Sequence, residues 1–322
     1  MTTTSLQLDP SSRLQHLLTL EGLPSAMLRQ LLDRAEHIIH ASAQMRADLR
    51  HCLSGTAICT LFFEPSTRTR SSFHLAAQRL GADVLNFDAS TSSTRKGETA
   101  RDTLRNIEAM GVRGFVLRHP DNGIVAELAA AAGKGTALIN AGDGRNAHPT
   151  QGLLDMLTLR QAKGADFSQL KVLIVGDVKH SRVARSDLHA LRTLGAGEIR
   201  VCGPTSLLPD DDTLRGCVVG EELDALLEGV DALLMLRLQR ERMEEGLVPS
   251  LEHYHARYGL TAARLRRAAP NAAVLHPGPV NRGVEITDEV ADGAQSWILR
   301  QVRNGVAIRM AVLETLLQAR YS

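Results

Sequence analysis

Between residues 24 and 50 the apolar positions Leu28, Leu31, Leu32, Ala35, Ile38 and Ile39 recur at steps of three and four. That spacing places them on one stripe of a helix, so an amphipathic helix is expected over 24–50. Beyond it the pattern changes to short apolar runs at 57–63, 82–87, 114–119 and 136–141. Helical patterns at 71–80, 99–110 and 123–132 separate these runs. Strands alternating with helices predict a parallel sheet covered on both faces.

After a helix-like stretch at 150–163 the alternation restarts, with strand-like runs at 171–176, 198–202, 232–238 and 273–276. The fold class expected is therefore α/β, with two doubly wound domains, each a mainly parallel sheet flanked by helices, and a site in the cleft between them. The boundary falls near 150, giving domains at 1–149 and 150–322, and a last helical segment at about 305–320 can pack on either. The length of 322 residues agrees with two cores, since one core rarely organises more than about 250–300 residues.

Composition excludes more than it specifies. A formal net charge of +1 offers no overall field that would attract nucleic acid or an acidic membrane. No apolar run reaches the roughly 18 residues of a membrane span, and residues 1–10 are polar, so a soluble cytoplasmic protein is expected. Cys52, Cys59, Cys202 and Cys217 form no close CxxC pair, which predicts neither a disulfide nor structural zinc.

The chemistry-bearing residues fall at strand ends, where open parallel sheets collect ligands. The run at 57–63 passes through Glu64-Pro65 into Ser66-Thr67-Arg68-Thr69-Arg70 and then a helical pattern. There Ser66 can cap the helix, first-turn N–H groups can take phosphate oxygens, and Arg68 adds a bidentate cation. Arg118 and His119 end the run at 114–119, with Pro120 stopping it. His148 and Gln151 stand three apart at a helix start after a Gly142-Asp143-Gly144 turn, so both can face one site.

In the second half, Gly176 to Arg182 reads as strand, loop and helix start, and Arg237 and Gln239 close an apolar run. His276-Pro277-Gly278-Pro279 ends the last strand in a rigid turn whose carbonyls can face a ligand. Taken singly, the segment at 66–70 reads equally well as an ordinary helix cap. By themselves Arg118, Arg182 and Arg237 read more often as solvated charges and His148 as a structural or exposed histidine, and the turn at 276–279 has a plain tight turn as its alternative.

The ordered set resembles the aspartate/ornithine carbamoyltransferase family, specifically its aspartate-using catalytic chains, across essentially the whole sequence. It comprises FEPSTRTR at 63–70, KGET at 96–99, LRHP at 117–120, HPTQ at 148–151, GDVKHSR at 176–182, LRLQRER at 236–242 and LHPGPVNRG at 275–283. The resemblance implies transfer of a carbamoyl group from carbamoyl phosphate to the α-amino group of L-aspartate, in pyrimidine synthesis. It assigns Ser66, Thr67, Arg68 and Thr69 to the phosphate, Arg118 to phosphate and carbonyl oxygen, and His148 to the carbonyl. Gln151 and the Pro277-Gly278 turn would orient the carbamoyl NH₂, and Arg182, Arg237 and Gln239 would hold the aspartate carboxylates. Ser92 and Lys96 would enter from a neighbouring subunit of a homotrimer with shared active sites, Lys96 also serving aspartate.

The family implies no metal and no cofactor, and leaves regulatory or dihydroorotase-like partner chains open. Three rivals stand beside it. An ornithine-type acceptor would call for a cysteine in an HCLP-like turn, where this chain has His276-Pro277-Gly278-Pro279. A dinucleotide-binding protein would show GxGxxG or GxxxxGK[ST], and neither is present. A silent scaffold of the same fold would have lost functional side chains, whereas each matched position keeps one.

Overall fold

The computed structural model describes residues 3–88, 97–238 and 250–318. The chain divides into two compact units, one formed by Met1–Leu153 with Asn304–Ser322 and the other by Leu154–Arg303.

The first unit opens with α1 (Thr3–Gln7), α2 (Ser25–Ile39) and α3 (Ala43–Leu49). The helix expected over 24–50 is thus two helices. The apolar stripe ends at Ile39, and Ser42 starts a new helix by accepting a hydrogen bond from Met45 N on its side chain. The alternating part follows as β1 (Ala57–Phe62), α4 (Thr67–Arg79), β2 (Asp83–Asp88), α5 (Ala100–Ala109), β3 (Gly114–His119), α6 (Ile124–Ala131) and β4 (Ala137–Asp143).

The four strands are parallel in the order β2-β1-β3-β4. Burial runs through almost every position of β1, β3 and β4, as strands covered on both faces require, while the edge strand β2 is half-buried to exposed. Cys59, Leu61, Phe115 and Leu117 meet Leu104 and Ile107 of α5 and Val125 and Leu128 of α6. The far end of the chain contributes too: a Cβ on Gly114 would meet the Leu317 side chain at 3.0 Å, so glycine leaves room for that helix.

The second unit comprises most of α7 (Pro149–Lys163), then β5 (Lys171–Val175), α8 (Arg182–Leu194), β6 (Glu198–Cys202), β7 (Val218–Gly220), α9 (Leu223–Leu226) and β8 (Ala232–Met235). It continues through α10 (Leu251–Tyr258), α11 (Ala262–Leu265), β9 (Ala273–Leu275), α12 (Asp288–Ala291) and the first residues of α13 (Ile298–Leu317). Its five strands are parallel in the order β7-β6-β5-β8-β9. Leu173, Val175, Leu233, Met235 and Val274 form one core with Tyr254, Tyr258, Ile286 and Val290.

The last helix begins at Ile298 rather than near 305. Its first turns carry Leu299 and Val302, which are 83% and 53% exposed, so no buried apolar stripe marked the start. Strand β8 also stops at Met235, three residues short of the expected end. Among the described residues no helix is long and apolar enough to cross a membrane.

Candidate active site

In each sheet the chain leaves the first strand, adds strands on one side, and then returns to add strands on the other. The switch falls between β1 and β3 in the first unit and between β5 and β8 in the second. At such a point the two connections part, leaving the carboxyl ends of the strands open to a ligand.

In the first unit Phe62 pairs with Arg118 across the switch, and Phe63 N donates to Arg118 O at 2.8 Å. The largely buried Arg118 guanidinium donates from Nη2 to Glu64 Oε1 at 2.8 Å and from Nη1 to Ala141 O at 3.2 Å. It therefore spans the ends of β1, β3 and β4. Glu64 went unassigned in the sequence reading, although its place between the strand and Pro65 put it at the switch.

Ser66 occupies the N-cap of α4 in extended backbone, yet its side chain makes no capping hydrogen bond, contrary to expectation. The first-turn N–H groups of a helix lack intrahelical acceptors, so a helix start of this kind can receive an anion. Thr67 and Arg68 are exposed there, Thr69 is buried, and Arg70 lies over the Phe62 ring at 5.2 Å.

His148 and Gln151 are both buried at the start of α7, where Gln151 N donates to His148 O at 2.9 Å. Asp143 builds the turn that presents them. Its carboxylate accepts from Gly123 N, Asn140 Nδ2, Asn146 Nδ2 and Ala147 N. Gly144, at φ +48°, has no room for a Cβ beside Asn122 Oδ1. Beside this turn, burial pushes the His119 imidazole below its ordinary value despite Asp121, Asp143 and Glu64. It is therefore neutral at pH 7, and its ring lies tilted against Phe63, with centroids 5.1 Å apart and planes at 55°.

In the second unit Gly176 follows β5 at φ +123°, and a Cβ there would meet the Tyr254 hydroxyl at 2.9 Å. The fully buried Asp177 accepts from His180 N at 3.1 Å, and its Oδ1 lies 2.8 Å from His180 Nδ1. Ser181 then caps α8 by accepting from Ala184 N, which makes the buried Arg182 the first helical residue. Arg237 is half-buried two residues past β8, in chain anchored by Leu236 N donating to Val175 O at 2.8 Å. Pro277 and Gly278 follow β9, the neighbour of β8, and Gly278 takes φ +67°, which suits glycine.

Of the expected site residues, Ser66, Thr67, Arg68, Thr69, Arg118, His148 and Gln151 gather at one end of the first sheet, and Arg182, Arg237, Pro277 and Gly278 at one end of the second. Ser92, Lys96 and Gln239 lie outside the described residues. Among the described residues no group of three or more His, Cys, Asp or Glu side chains is placed to hold a metal ion.

Fold and site define a class of protein with two parallel α/β units, each with arginines at its switch point, and such charge suits anionic ligands. Residues 15–161 match the family description "Aspartate/ornithine carbamoyltransferase, carbamoyl-P binding domain", and residues 168–316 match "Aspartate/ornithine carbamoyltransferase, Asp/Orn binding domain". The chain belongs to the aspartate/ornithine carbamoyltransferase family. It is 81% identical over 314 residues to the aspartate carbamoyltransferase catalytic subunit of Xanthomonas campestris pv. campestris (strain B100), covering 98% of this chain and 99% of that protein. The catalytic subunit of Stenotrophomonas maltophilia (strain R551-3) is 80% identical, with 98% and 99% coverage.

Among solved structures, aspartate transcarbamoylase from Trypanosoma cruzi in complex with carbamoyl phosphate and aspartate superposes with a TM-score of 0.84 at 30% identity, covering 97% of this chain and 99% of that one. Ornithine carbamoyltransferase from Thermus thermophilus gives 0.82 at 28% identity, covering 94% and 99%. The fold is thus shared by enzymes with different acceptors.

Proposed function

We infer that this chain transfers the carbamoyl group of carbamoyl phosphate to the α-amino group of L-aspartate, giving N-carbamoyl-L-aspartate and phosphate in an early step of pyrimidine synthesis. The observation that carries this reading is the charge of the second unit's switch point. Arg182 and Arg237 there suit the two carboxylates of aspartate, whereas the cationic side chain of ornithine needs an acidic partner. The 81% identity to a protein named for aspartate supports the same choice.

The first unit holds carbamoyl phosphate. Thr67, Arg68 and Thr69, with the open start of α4 and Ser66, bind the phosphoryl oxygens, and Arg118 reaches from phosphate to the carbonyl oxygen. His148 donates to that oxygen, while Gln151 and the Pro277-Gly278 turn orient the carbamoyl NH₂. The amine of aspartate, in its neutral form, attacks the carbonyl carbon. A C–N bond forms, charge collects on the carbonyl oxygen, and the C–O bond to phosphate breaks as phosphate takes the amine proton.

The need throughout is fixed positive charge and hydrogen-bond donors, not a protein nucleophile. His148 serves as polariser rather than general base, because the departing phosphate can accept the proton. Lys96 and Gln239 complete the aspartate pocket. Ser92 and Lys96 come from a neighbouring chain of a homotrimer in the cytoplasm. The relatives' designation as catalytic subunits supports a further, regulatory kind of chain in the assembly.

The test is carbamoylation of L-aspartate beside L-ornithine, with the mass of the assembly measured on the same sample. Turnover with aspartate alone, in a trimer or a multiple of three, is expected; turnover with ornithine would overturn the assignment of Arg182 and Arg237.

A further inference from the structure

A single buried carboxylate joins two of the loops in the second unit that carry expected ligand-facing residues. Glu285 has no exposed surface, and Oε1 accepts from Leu238 N at 2.8 Å and from Asn281 Nδ2 at 2.6 Å. Oε2 accepts from Asn281 N at 2.9 Å. Asn281 Nδ2 also reaches Leu238 O at 3.4 Å. The carboxylate therefore grips the peptide directly after Arg237 on one side and the turn directly after Pro277-Gly278-Pro279 on the other.

His276 holds the other limb of that turn. Its Nδ1 accepts from Gly278 N at 2.9 Å, so a neutral ring carries its proton on Nε2, which stands 3.7 Å from Glu285 Oε2. His276 N donates in turn to Gln301 Oε1 at 2.8 Å. Neither loop has ladder bonds of its own at these positions, because β8 ends at Met235 and β9 at Leu275. Fixing the peptide after Arg237 fixes the backbone from which its guanidinium projects. Three N–H donors, Leu238 N, Asn281 N and Asn281 Nδ2, offset the cost of burying the charge.

We propose that Glu285 is a positioning residue that sets the segment carrying Arg237 against the loop carrying Pro277 and Gly278. Resting on the reading above, it brings the aspartate amine into register with the carbamoyl carbon. It touches no substrate and acts through backbone. Register errors of this kind act on the reaction more than on the fold.

Glu285→Gln keeps the shape but turns an N–H toward at least one of the donors now accepted. In the intact oligomer the expected result is an aspartate KM raised about tenfold and kcat lowered about tenfold, each the ratio that about 1.4 kcal/mol represents. The Kd of inorganic phosphate, measured by titration calorimetry on the same sample, should stay within about twofold, since its binding groups lie in the other unit. Asn281→Leu removes one donor and leaves the backbone bond, so it should shift the same two constants in the same direction by less. It decides the matter alone should Glu285→Gln not fold.

A lowered Tm with KM and kcat both within about twofold of the unsubstituted chain, in both variants, would reduce Glu285 to a structural tie and overturn the proposal. So would a loss of phosphate affinity as large as the loss for aspartate. Absence of aspartate turnover in the unsubstituted chain is the separate outcome that removes the functional reading and this role with it.

Discussion

Replacing Asp187 by Asn should change how stability depends on pH, because the folded protein holds a proton there that the unfolded chain releases. Asp187 on α8 is fully buried, and its carboxyl neighbour is Asp155 on α7, itself 1% exposed. Gln301 Nε2 donates to Asp155 Oδ1 at 2.6 Å. Two carboxylates cannot both ionise at such a site. Burial first, and Asp155 second, raise Asp187 well above the ordinary carboxylate range, and the pair keeps one proton between them.

Above the unfolded value near 3.8 the unfolded chain has lost that proton, so the folded state binds one more. Stability contributed by the pair is complete below the unfolded value and falls as pH rises toward the folded one, by about 1.4 kcal/mol per pH unit. Asn at 187 donates an amide hydrogen to Asp155 at every pH and titrates nothing. Between pH 5.5 and 7.0 the stability of Asp187→Asn relative to the unsubstituted chain should therefore improve by up to about 2 kcal/mol. At a urea m-value of about 2 kcal/mol/M that is a relative shift of roughly 1 M in midpoint. Urea unfolding of both chains by circular dichroism at the two pH values measures it. Parallel pH profiles, with one constant offset, would refute the shared proton.

The remaining expectations concern turnover. Arg68→Ala should lower kcat by about 10²–10³, the usual loss for one donor aimed at developing charge, while changing stability by no more than about 0.5 kcal/mol because the side chain is exposed; an unchanged rate would remove Arg68 from the leaving-group site. Arg237→Ala should raise the aspartate KM by roughly 10- to 150-fold, as loss of a charge-assisted hydrogen bond implies, and spare carbamoyl phosphate. Equal weakening of both ligands would show that the aspartate role is misassigned. Mixing inactive Arg68→Ala and Lys96→Ala chains should restore part of the activity if neighbouring chains share sites, and none if each site is self-contained.

Much of the candidate site could be read from the sequence because its residues sit in short motifs tied to strand ends. Ser66 to Thr69, Arg118, His148, Arg182 and Arg237 each follow an apolar run within a few residues, and parallel sheets put such positions on one edge. Their supports could not be read this way. Glu64 partners Arg118, 54 residues away, and Glu285 holds Leu238, 47 residues away. Nothing in the local pattern of an acidic residue names a partner at that distance. The break at 40–42 and the early start of α13 were hidden for a related reason: a cap and an exposed helical turn leave no apolar stripe to count.

By itself the sequence determined the alternation of strand and helix, the division into two parallel α/β halves and the identity of the charged groups, since periodicity and motif order are local properties of the chain. Only the tertiary structure decided the strand orders that create the two switch points, the return of residues 304–322 to the first unit, and the carboxylates that hold the loops. Those depend on burial and on pairings between distant segments. A buried charge is stable only where the folded backbone brings it donors, so its position is settled by the whole fold and not by its neighbours in sequence.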